Sequence, residues 1–298
     1  MTDSDLTPLP HVQTEDLGNL APWVAWVHAT RQPPEPTIML PRRTTVPPLE
    51  SVGGPFRHVA AATLGELDLM PGWAVLRPPG VATVPVPLAR PTNDTAAALA
   101  VGAAAADAIV DAGADLVVPV LTQLSTDTHT AAATAIAALV PQEPAWVLGF
   151  ERRTPAAPIG YTETCYLDDA GWIRRCRRVR DLTWRVRDIG AQPLLHEVNE
   201  PTFTVLVGLL LQLADRRTPV LLDGPVTAAA ALVTTRINLF AADSYYAPHR
   251  HGDAAERYAL DAMGLEPVAA LGLRLGHGMG ALALLPLLQS VLGQSLLP

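Results

Sequence analysis

The chain lacks lysine altogether, and each of its 21 basic residues is an arginine. Schiff-base chemistry, lysine nucleophiles and lysine-dependent phosphate loops are therefore excluded. Only Cys165 and Cys176 are present, too few for a disulfide framework or a four-thiolate zinc site. Acidic residues outnumber basic ones, and the net charge of −8 argues against a surface that binds nucleic acid.

Long apolar runs that would predict a membrane span are also missing. The uncharged stretch 275–298 is interrupted by glycines and by Pro286, so it predicts a buried helix and no membrane contact. The acidic, polar start has no signal-peptide pattern, and we expect a cytoplasmic protein. Aromatic residues make up only 5% of the chain, and its hydrophobic fraction of 49% is dominated by alanine, which favours closely packed helices.

The order of segments predicts an α/β fold. Residues 1–50 are rich in proline and read as an irregular arm, whereas residues 51–298 read as a single α/β domain. A helix over 95–112, a strand over 115–121, a polar loop over 123–130, a helix over 131–140 and a strand over 145–149 form a βαβ pattern. This order predicts a mainly parallel sheet with helices on both faces, a Rossmann-like three-layer arrangement.

Further elements follow the same order toward the end of the chain. Short strands are expected at 73–76 and 81–86, and a strand at 219–222 precedes another helix. A glycine-rich loop, 276–280, comes directly before the last helix. The expected helices in this part of the chain are 170–180, 201–214, 226–235, 253–263 and 281–292.

Three loops are candidates for a ligand site, because ligands of open α/β sheets bind at the carboxyl ends of the strands. The loops 122–130, 223–225 and 276–280 are expected to converge at that edge. The glycines before the last helix would let backbone N–H groups approach an anion, although such glycines also serve as tight connectors. His249, His251 and Asp253 alternate as metal ligands can, but they lie in a loop-like, polar stretch, and no metal is predicted.

Several segments together resemble a known family. These are Pro219-Val-Leu-Leu-Asp-Gly-Pro, His249-Arg250 and Leu271-Gly-Leu-Arg-Leu-Gly-His-Gly-Met-Gly. They resemble the nicotinate mononucleotide:5,6-dimethylbenzimidazole phosphoribosyltransferases, over about residues 90–298. The resemblance implies transfer of ribose phosphate from nicotinate mononucleotide to an aromatic azole base, as in the synthesis of the lower-ligand nucleotide of cobalamin. It implies small-molecule substrates and no cofactor, and it leaves a homodimer open.

The resemblance also implies the site residues. His277 stands where the family has its catalytic glutamate, and it would act as the general base, since an imidazole is a competent base at neutral pH. Arg175 stands in place of a family lysine. The implied substrate-binding residues are Gln123, Ser125, Thr126, Thr128, His129, Thr130, Arg175, Asp223, Gly224, Gly276 and Gly278.

Departures from the family pattern keep a second function open. The loop 122–130 has lost the inner glycines of the family's phosphate loop, and Asp127 would place a carboxylate near the phosphate. The alternative is a non-catalytic paralogue that binds a nucleotide-like ligand or acts as the partner subunit of an active homologue.

Overall fold

The computed structural model of the chain contains one parallel sheet. It describes residues 56, 58–64, 78–87, 94–122, 125–149, 169–250, 252–270 and 278–295. Within these ranges the strands are β1 (Val59–Leu64), β2 (Ala82–Val86), β3 (Leu116–Leu121), β4 (Val220–Leu221) and β5 (Tyr245–Tyr246). They pair in the order β2–β1–β3–β4–β5, and every pairing is parallel.

Helices account for most of the remaining described residues. A 3-10 helix, Leu239–Ser244, leads into β5. The α-helices are α1 (Thr95–Asp111), α2 (Thr126–Leu139), α3 (Pro144–Val147), α4 (Asp169–Val186), α5 (Ala191–Val198), α6 (Pro201–Asp215), α7 (Pro225–Ile237), α8 (Ala254–Met263) and α9 (Met279–Ser295).

Both faces of the sheet are buried, because alternate residues of a strand point to opposite sides. In β3, Val117 and Leu121 pack into the larger core with α1, α2, α6, α7 and α8. Leu116, Val118 and Val120 point the other way, into a second core that contains Leu282, Leu285 and Leu288 of α9. The predicted mainly parallel sheet with helices on both faces is confirmed.

Helix α9 runs antiparallel to the strands across its face of the sheet. Its start lies against the carboxyl end of β3, where Gly278 approaches Pro119 and Val120. Toward its other end, the side-chain amide of Gln289 donates to the Phe56 carbonyl and accepts from the Phe56 amide, at 2.8 and 3.1 Å. The helix therefore connects the carboxyl edge of the sheet to the amino edge.

Local capping explains several helix limits that the sequence predicts. The Asp94 side chain accepts from the Ala97 amide at the start of α1, and the Asp253 side chain accepts from the Ala255 amide at the start of α8. Gly264 ends α8 in the left-handed conformation that glycine favours. These limits agree with the predicted helices to within a residue or two.

The predicted strand over 145–149 is wrong. Those residues belong to or directly follow the short helix α3, whose first turn begins with Pro144. Proline fixes the φ angle that a helix start needs and has no N–H to leave unpaired, so it favours this turn. The strand that pairs with β3 is instead β4, which lies far along the chain.

The predicted start of the following helix is also wrong. Helix α2 begins at Thr126 and not near Ala131, because the Ser125 hydroxyl accepts from the Thr128 amide at 3.0 Å and caps it. The polar residues assigned to a loop are therefore the first turns of a helix. The arginine-rich helix is likewise longer than predicted, spanning Asp169–Val186.

Among the helices that the structure describes, none combines the length and the apolar character needed to cross a membrane.

Candidate functional site

Asp223 follows β4 at the carboxyl edge of the sheet and is almost fully buried. Its Oδ2 atom accepts from the amides of Gly280 and Ala281, at 2.8 and 3.3 Å. These amides lie in the first turn of α9, where N–H groups have no partner within the helix. The carboxylate of Asp223 therefore caps α9, and its negative charge faces the positive end of that helix.

The second oxygen of Asp223 faces a histidine. Asp223 Oδ1 lies 3.0 Å from Nε2 of His249, and neither side chain is exposed to solvent. Burial by itself would lower the pKa of His249, but the neighbouring Asp223 carboxylate outweighs burial, and the pKa is raised above its ordinary value. The geometry and the direction of the pKa shift both favour the protonated form of the ring.

A second buried carboxylate completes this arrangement. Glu256 of α8 is only 1% exposed, and its Oε1 atom accepts from the Gly224 amide at 2.9 Å. Gly224 is the N-cap residue of α7, so Glu256 lies at the start of that helix as Asp223 lies at the start of α9. The charge of Glu256 also contributes to the raised pKa of His249.

Close packing accounts for two glycines of the predicted anion loop. Gly278 has a φ of +91°, and a Cβ there would lie 2.5 Å from the carbonyl oxygen of Pro119. At Gly280 a Cβ would overlap the imidazole ring of His249. Only glycine fits either position without displacing β3 or His249. We name Asp223, His249, Glu256, Gly278 and Gly280 the buried junction.

A second group of predicted residues lies at the start of α2. The hydroxyls of Ser125 and Thr128 are 2.9 Å apart, and the Thr128 hydroxyl donates to Oε1 of Glu200 at 3.0 Å. Glu200 also caps α6 by accepting from the Phe203 amide. The starts of α2 and α6 are thus joined through one carboxylate.

Burial raises the pKa of Glu200, and this effect outweighs the hydrogen bonds from Phe203 and Thr128, which lower it. The nearby charge of Asp127 raises it further. Asp127 itself is exposed and forms an ion pair with Arg178 of α4, at 2.6 Å. We name Ser125, Asp127, Thr128, Arg178 and Glu200 the polar cluster.

Three other predicted residues lie within or next to this cluster. His129 and Thr130 are buried in α2, and the Thr130 hydroxyl donates to the carbonyl of Thr126 at 2.7 Å. Arg175 is 8% exposed and lies on the buried face of α4, within one helical turn of Arg178. The Asp127–Arg178 ion pair therefore joins the start of α2 to the helix that carries Arg175.

A pocket opens beside α8. Two arginines, Arg250 and Arg257, line it together with Trp146 and Asp253. Trp146 is 43% exposed. The pocket is thus lined by two arginines, one tryptophan and a carboxylate whose Oδ1 atom caps α8. Such a set suits a ligand that has both an anionic group and an aromatic ring.

Two of the residues considered as metal ligands have other partners here. His249 pairs with Asp223, and Asp253 caps α8. Within the described ranges no three histidine, cysteine, aspartate or glutamate side chains are grouped as a metal ion would need. His251, Gln123, Gly276 and His277 lie outside the described residues, as do residues 1–50, 73–76 and Cys165.

Sequence reasoning did not identify the roles of Glu200, Glu256, Arg250 and Arg257. A local signal exists for Glu200, because the next residue is a proline at the first helical position. Glu256 lies 32 residues from Gly224, and no pattern within one segment connects them. The structure brings the loop 223–225 and the start of α9 together, as predicted, whereas the residues 125–130 form a separate cluster.

A family model shows the class of protein to which the chain belongs, and two solved structures share its fold. A family model described as a phosphoribosyltransferase matches residues 87–293 of the chain. The fold is similar to that of CobT from Thermus thermophilus, with a TM-score of 0.57, 24% identity and coverage of 80% of this chain and 67% of that chain. It is also similar to the nicotinate-nucleotide-dimethylbenzimidazole phosphoribosyltransferase from the same organism, with a TM-score of 0.58, 23% identity and coverage of 80% and 82%.

Curated relatives then define the family. The nicotinate-nucleotide–dimethylbenzimidazole phosphoribosyltransferase of Streptomyces avermitilis is 38% identical over 268 residues, which are 89% of this chain and 66% of the relative. The protein of the same name from Mycobacterium tuberculosis is 40% identical over 202 residues, 67% of this chain and 52% of the relative. The chain belongs to the nicotinate-nucleotide–dimethylbenzimidazole phosphoribosyltransferase family. It spans about half to two thirds of the length of these relatives.

Proposed function

We propose that this protein is a phosphoribosyltransferase that moves the ribose phosphate of nicotinate mononucleotide to an aromatic azole base such as 5,6-dimethylbenzimidazole. The observation that carries the proposal is the family match over residues 87–293, which contains every element at the carboxyl edge from β3 onward. Ligands of open α/β sheets bind at that edge.

In the proposed reaction an azole ring nitrogen attacks C1′ of the ribose from the face opposite to nicotinate. The new N–C1′ bond forms as the C1′–nicotinate bond breaks, and the electron pair of that bond leaves with nicotinate. The proton of the azole N–H passes to a general base, for which we propose His277. Because nicotinate is a good leaving group, the protein must chiefly position the two substrates and accept this proton.

Two surfaces of the described residues support binding of the anionic donor. Arg250 and Arg257 line one pocket with the exposed indole of Trp146, and a guanidinium pair can hold a phosphate while the indole stacks on a ring. Arg175, on the helix whose Arg178 pairs with Asp127, offers a further cation. We propose that Ser125, Thr126, Thr128, His129 and Thr130 replace the lost glycines as polar side chains around the donor.

Turnover of nicotinate mononucleotide with a panel of benzimidazoles and related azoles tests the function, with mass spectrometry of the product nucleotide and of released nicotinate. Replacing His277 by alanine is expected to lower turnover roughly 10²–10⁴-fold, and His277→Glu is expected to restore it. His196→Ala, an exposed histidine of α5, serves as the matched control.

Two results would contradict the proposal. Binding of nicotinate mononucleotide in calorimetry without any product from the panel would favour the non-catalytic paralogue or partner subunit. An alanine variant of His277 that turns over as the wild type does would remove His277 as the base. Light scattering on the same sample measures whether the chain forms the homodimer that the family resemblance leaves open.

A further inference from the structure

The first turn of α9 is held at a junction of three chain segments. Asp223 follows β4, His249 lies just beyond β5, and Gly280 begins α9. Asp223 caps α9 although it lies 57 residues before Gly280 in the chain. This long-range hydrogen bond connects the end of β4 to the start of α9. The turn that it holds directly follows the glycine segment 276–278.

Both oxygens of Asp223 are engaged, and they have different partners. Oδ2 accepts from the two amides of α9, while Oδ1 faces the His249 ring at 3.0 Å. An ionised carboxylate with no exposure to solvent needs a compensating charge, and His249 supplies it when its ring is protonated. A charged Asp223 is also the form that caps a helix best.

The ring of His249 also limits movement of the turn sterically. It occupies the space that a side chain at residue 280 would need, so the backbone of α9 lies directly against the imidazole. His249 is itself held by a parallel bridge to Ala269, and the Arg250 amide donates to the Ala269 carbonyl at 3.0 Å. The His249 ring therefore prevents the first turn of α9 from moving toward it.

We propose that Asp223 and His249 are positioning residues, an ion pair that holds the start of α9 against β3 and β4. The effect depends on pH through His249. Among the described residues the charged groups around this ring are the carboxylates of Asp223 and Glu256, and both favour its charged form.

The sign of the pH dependence follows from the direction of the pKa shift. A histidine whose pKa is raised on folding contributes stability that is complete below its ordinary value of 6.5 and is lost as pH rises through the folded-state pKa. Rising pH is therefore expected to loosen the first turn of α9 before the rest of the helix.

Hydrogen exchange of the full-length chain tests the proposal without any substrate. The measured quantity is the protection of the amides of residues 280–285, corrected for intrinsic exchange rates and compared with α7, between about pH 6 and 9. In the wild type this protection is expected to fall with rising pH. In His249→Gln, which keeps a donor toward Asp223 and does not titrate, it is expected to be independent of pH.

His196→Gln, an exposed histidine of α5, is the matched control and should behave as the wild type. If His249→Gln kept the wild-type pH profile, the ion pair would not hold the turn and the proposal would be overturned. Should that variant fail to fold, an NMR titration of His249 in the wild type decides instead. A ring that titrates below its ordinary pKa, or without any change in protection of residues 280–285, would equally overturn it.

A second readout rests on the proposed function. If the start of α9 that the pair holds contributes to catalysis, His249→Gln lowers kcat by up to about 100-fold with little change in the KM for nicotinate mononucleotide, and it removes the alkaline limb of the pH profile. A fall in kcat with an unchanged alkaline limb would contradict positioning by ionised His249. If the wild type has no activity, the proposed function fails and the exchange experiment still decides the positioning role.

Discussion

The buried junction and the polar cluster lie at neighbouring parts of the carboxyl edge and use similar residues in opposite ways. In the junction, Asp223 and Glu256 are 1% exposed, and their hydrogen bonds go to the starts of α9 and α7. In the cluster, Asp127 is exposed and pairs with Arg178 at the surface. A carboxylate at this edge can therefore be a structural cap or a group accessible to a ligand, and burial distinguishes the two.

The difference has an energetic consequence. A buried charge that loses its partner stays in a medium that solvates it poorly, whereas an exposed charge that loses its partner is solvated by water. Substitutions in the buried junction should therefore chiefly change the free energy of unfolding. Substitutions in the polar cluster should change it less and act more on ligand binding.

The largest expected effect is that of Asp223→Ala. This variant removes the carboxylate beside the buried His249 ring and leaves two amides of α9 without an acceptor, so we expect a loss of about 3–5 kcal/mol in the free energy of unfolding. Urea denaturation at neutral pH measures it. Asp261→Ala, at an exposed position of α8, is the control and should change stability by no more than about 0.5 kcal/mol. Equal effects of the two variants would mean that the junction does not stabilise the fold.

A smaller effect is expected from Gly278→Ala, and Gly264→Ala is its matched control. Both glycines have positive φ, +91° and +69°, so alanine is strained at either. Only Gly278 has neighbours that a Cβ would clash with, and we expect it to cost about 1–3 kcal/mol more than Gly264→Ala. The same denaturation experiment compares them. Equal losses would show that the strand below Gly278 moves aside freely.

In the polar cluster, Ser125→Ala is expected to cost about 1 kcal/mol. It removes the side chain that caps α2 and leaves the Thr128 amide without its acceptor. Ser290→Ala, an exposed serine of α9, is the control and should be close to neutral. If Ser125→Ala lowered the free energy of unfolding as much as Asp223→Ala does, the polar cluster would stabilise the fold as strongly as the buried junction.

The smallest effect is expected from Glu200→Gln, and it should appear as a change in pH dependence. Because the folded-state pKa of Glu200 is raised, the wild type binds more protons when folded, and its stability falls as pH rises from the ordinary value of 4.5 through the folded-state pKa. Glutamine keeps one oxygen that can accept from the Phe203 amide, its NH2 group can donate to the Thr128 hydroxyl, and it does not ionise. The variant should therefore show a shallower fall than the wild type.

Denaturation curves at several pH values check this expectation, with Glu197→Gln, an exposed residue of α5, as the control. A variant with the same pH dependence as the wild type would show that Glu200 ionises in the folded state as easily as in water. Glu200 and His249 both make stability fall as pH rises, but the fall due to Glu200 begins at a lower pH. Their contributions to the pH dependence of stability can therefore be separated.

Local chemistry made much of the fold predictable. Asp94, Asp253 and Gly264 mark helix ends by interactions within a few residues, and such signals are readable in the sequence. The same type of signal is present at Ser125, but the run of polar residues after it is also typical of a loop. The start of α2 is therefore misplaced by sequence reasoning, although the cap that determines it is local.

The site was less predictable than the fold. The order of strands, loops and helices predicted that the loops 223–225 and 276–280 converge, and the structure shows that Asp223 and Gly280 are in contact. The sequence did not indicate that the His249 ring leaves room only for glycine at residue 280, because residues 249 and 280 are distant in the chain. The cations of the pocket, Arg250 and Arg257, are on a loop and on the helix that follows it, and no sequence pattern indicated that they line one pocket.

The sequence by itself determined most of the helices, the strand β3 and the alternation of strand, loop and helix that predicts a parallel sheet covered on both sides, because these depend on interactions between residues close along the chain. Tertiary structure alone decided which strand lies beside β3, since β4 and β5 are too short to show a periodic pattern. It also decided that Asp223, His249 and Gly280 meet. A buried charge is tolerated only where its partners converge, and that convergence is a property of the packed chain.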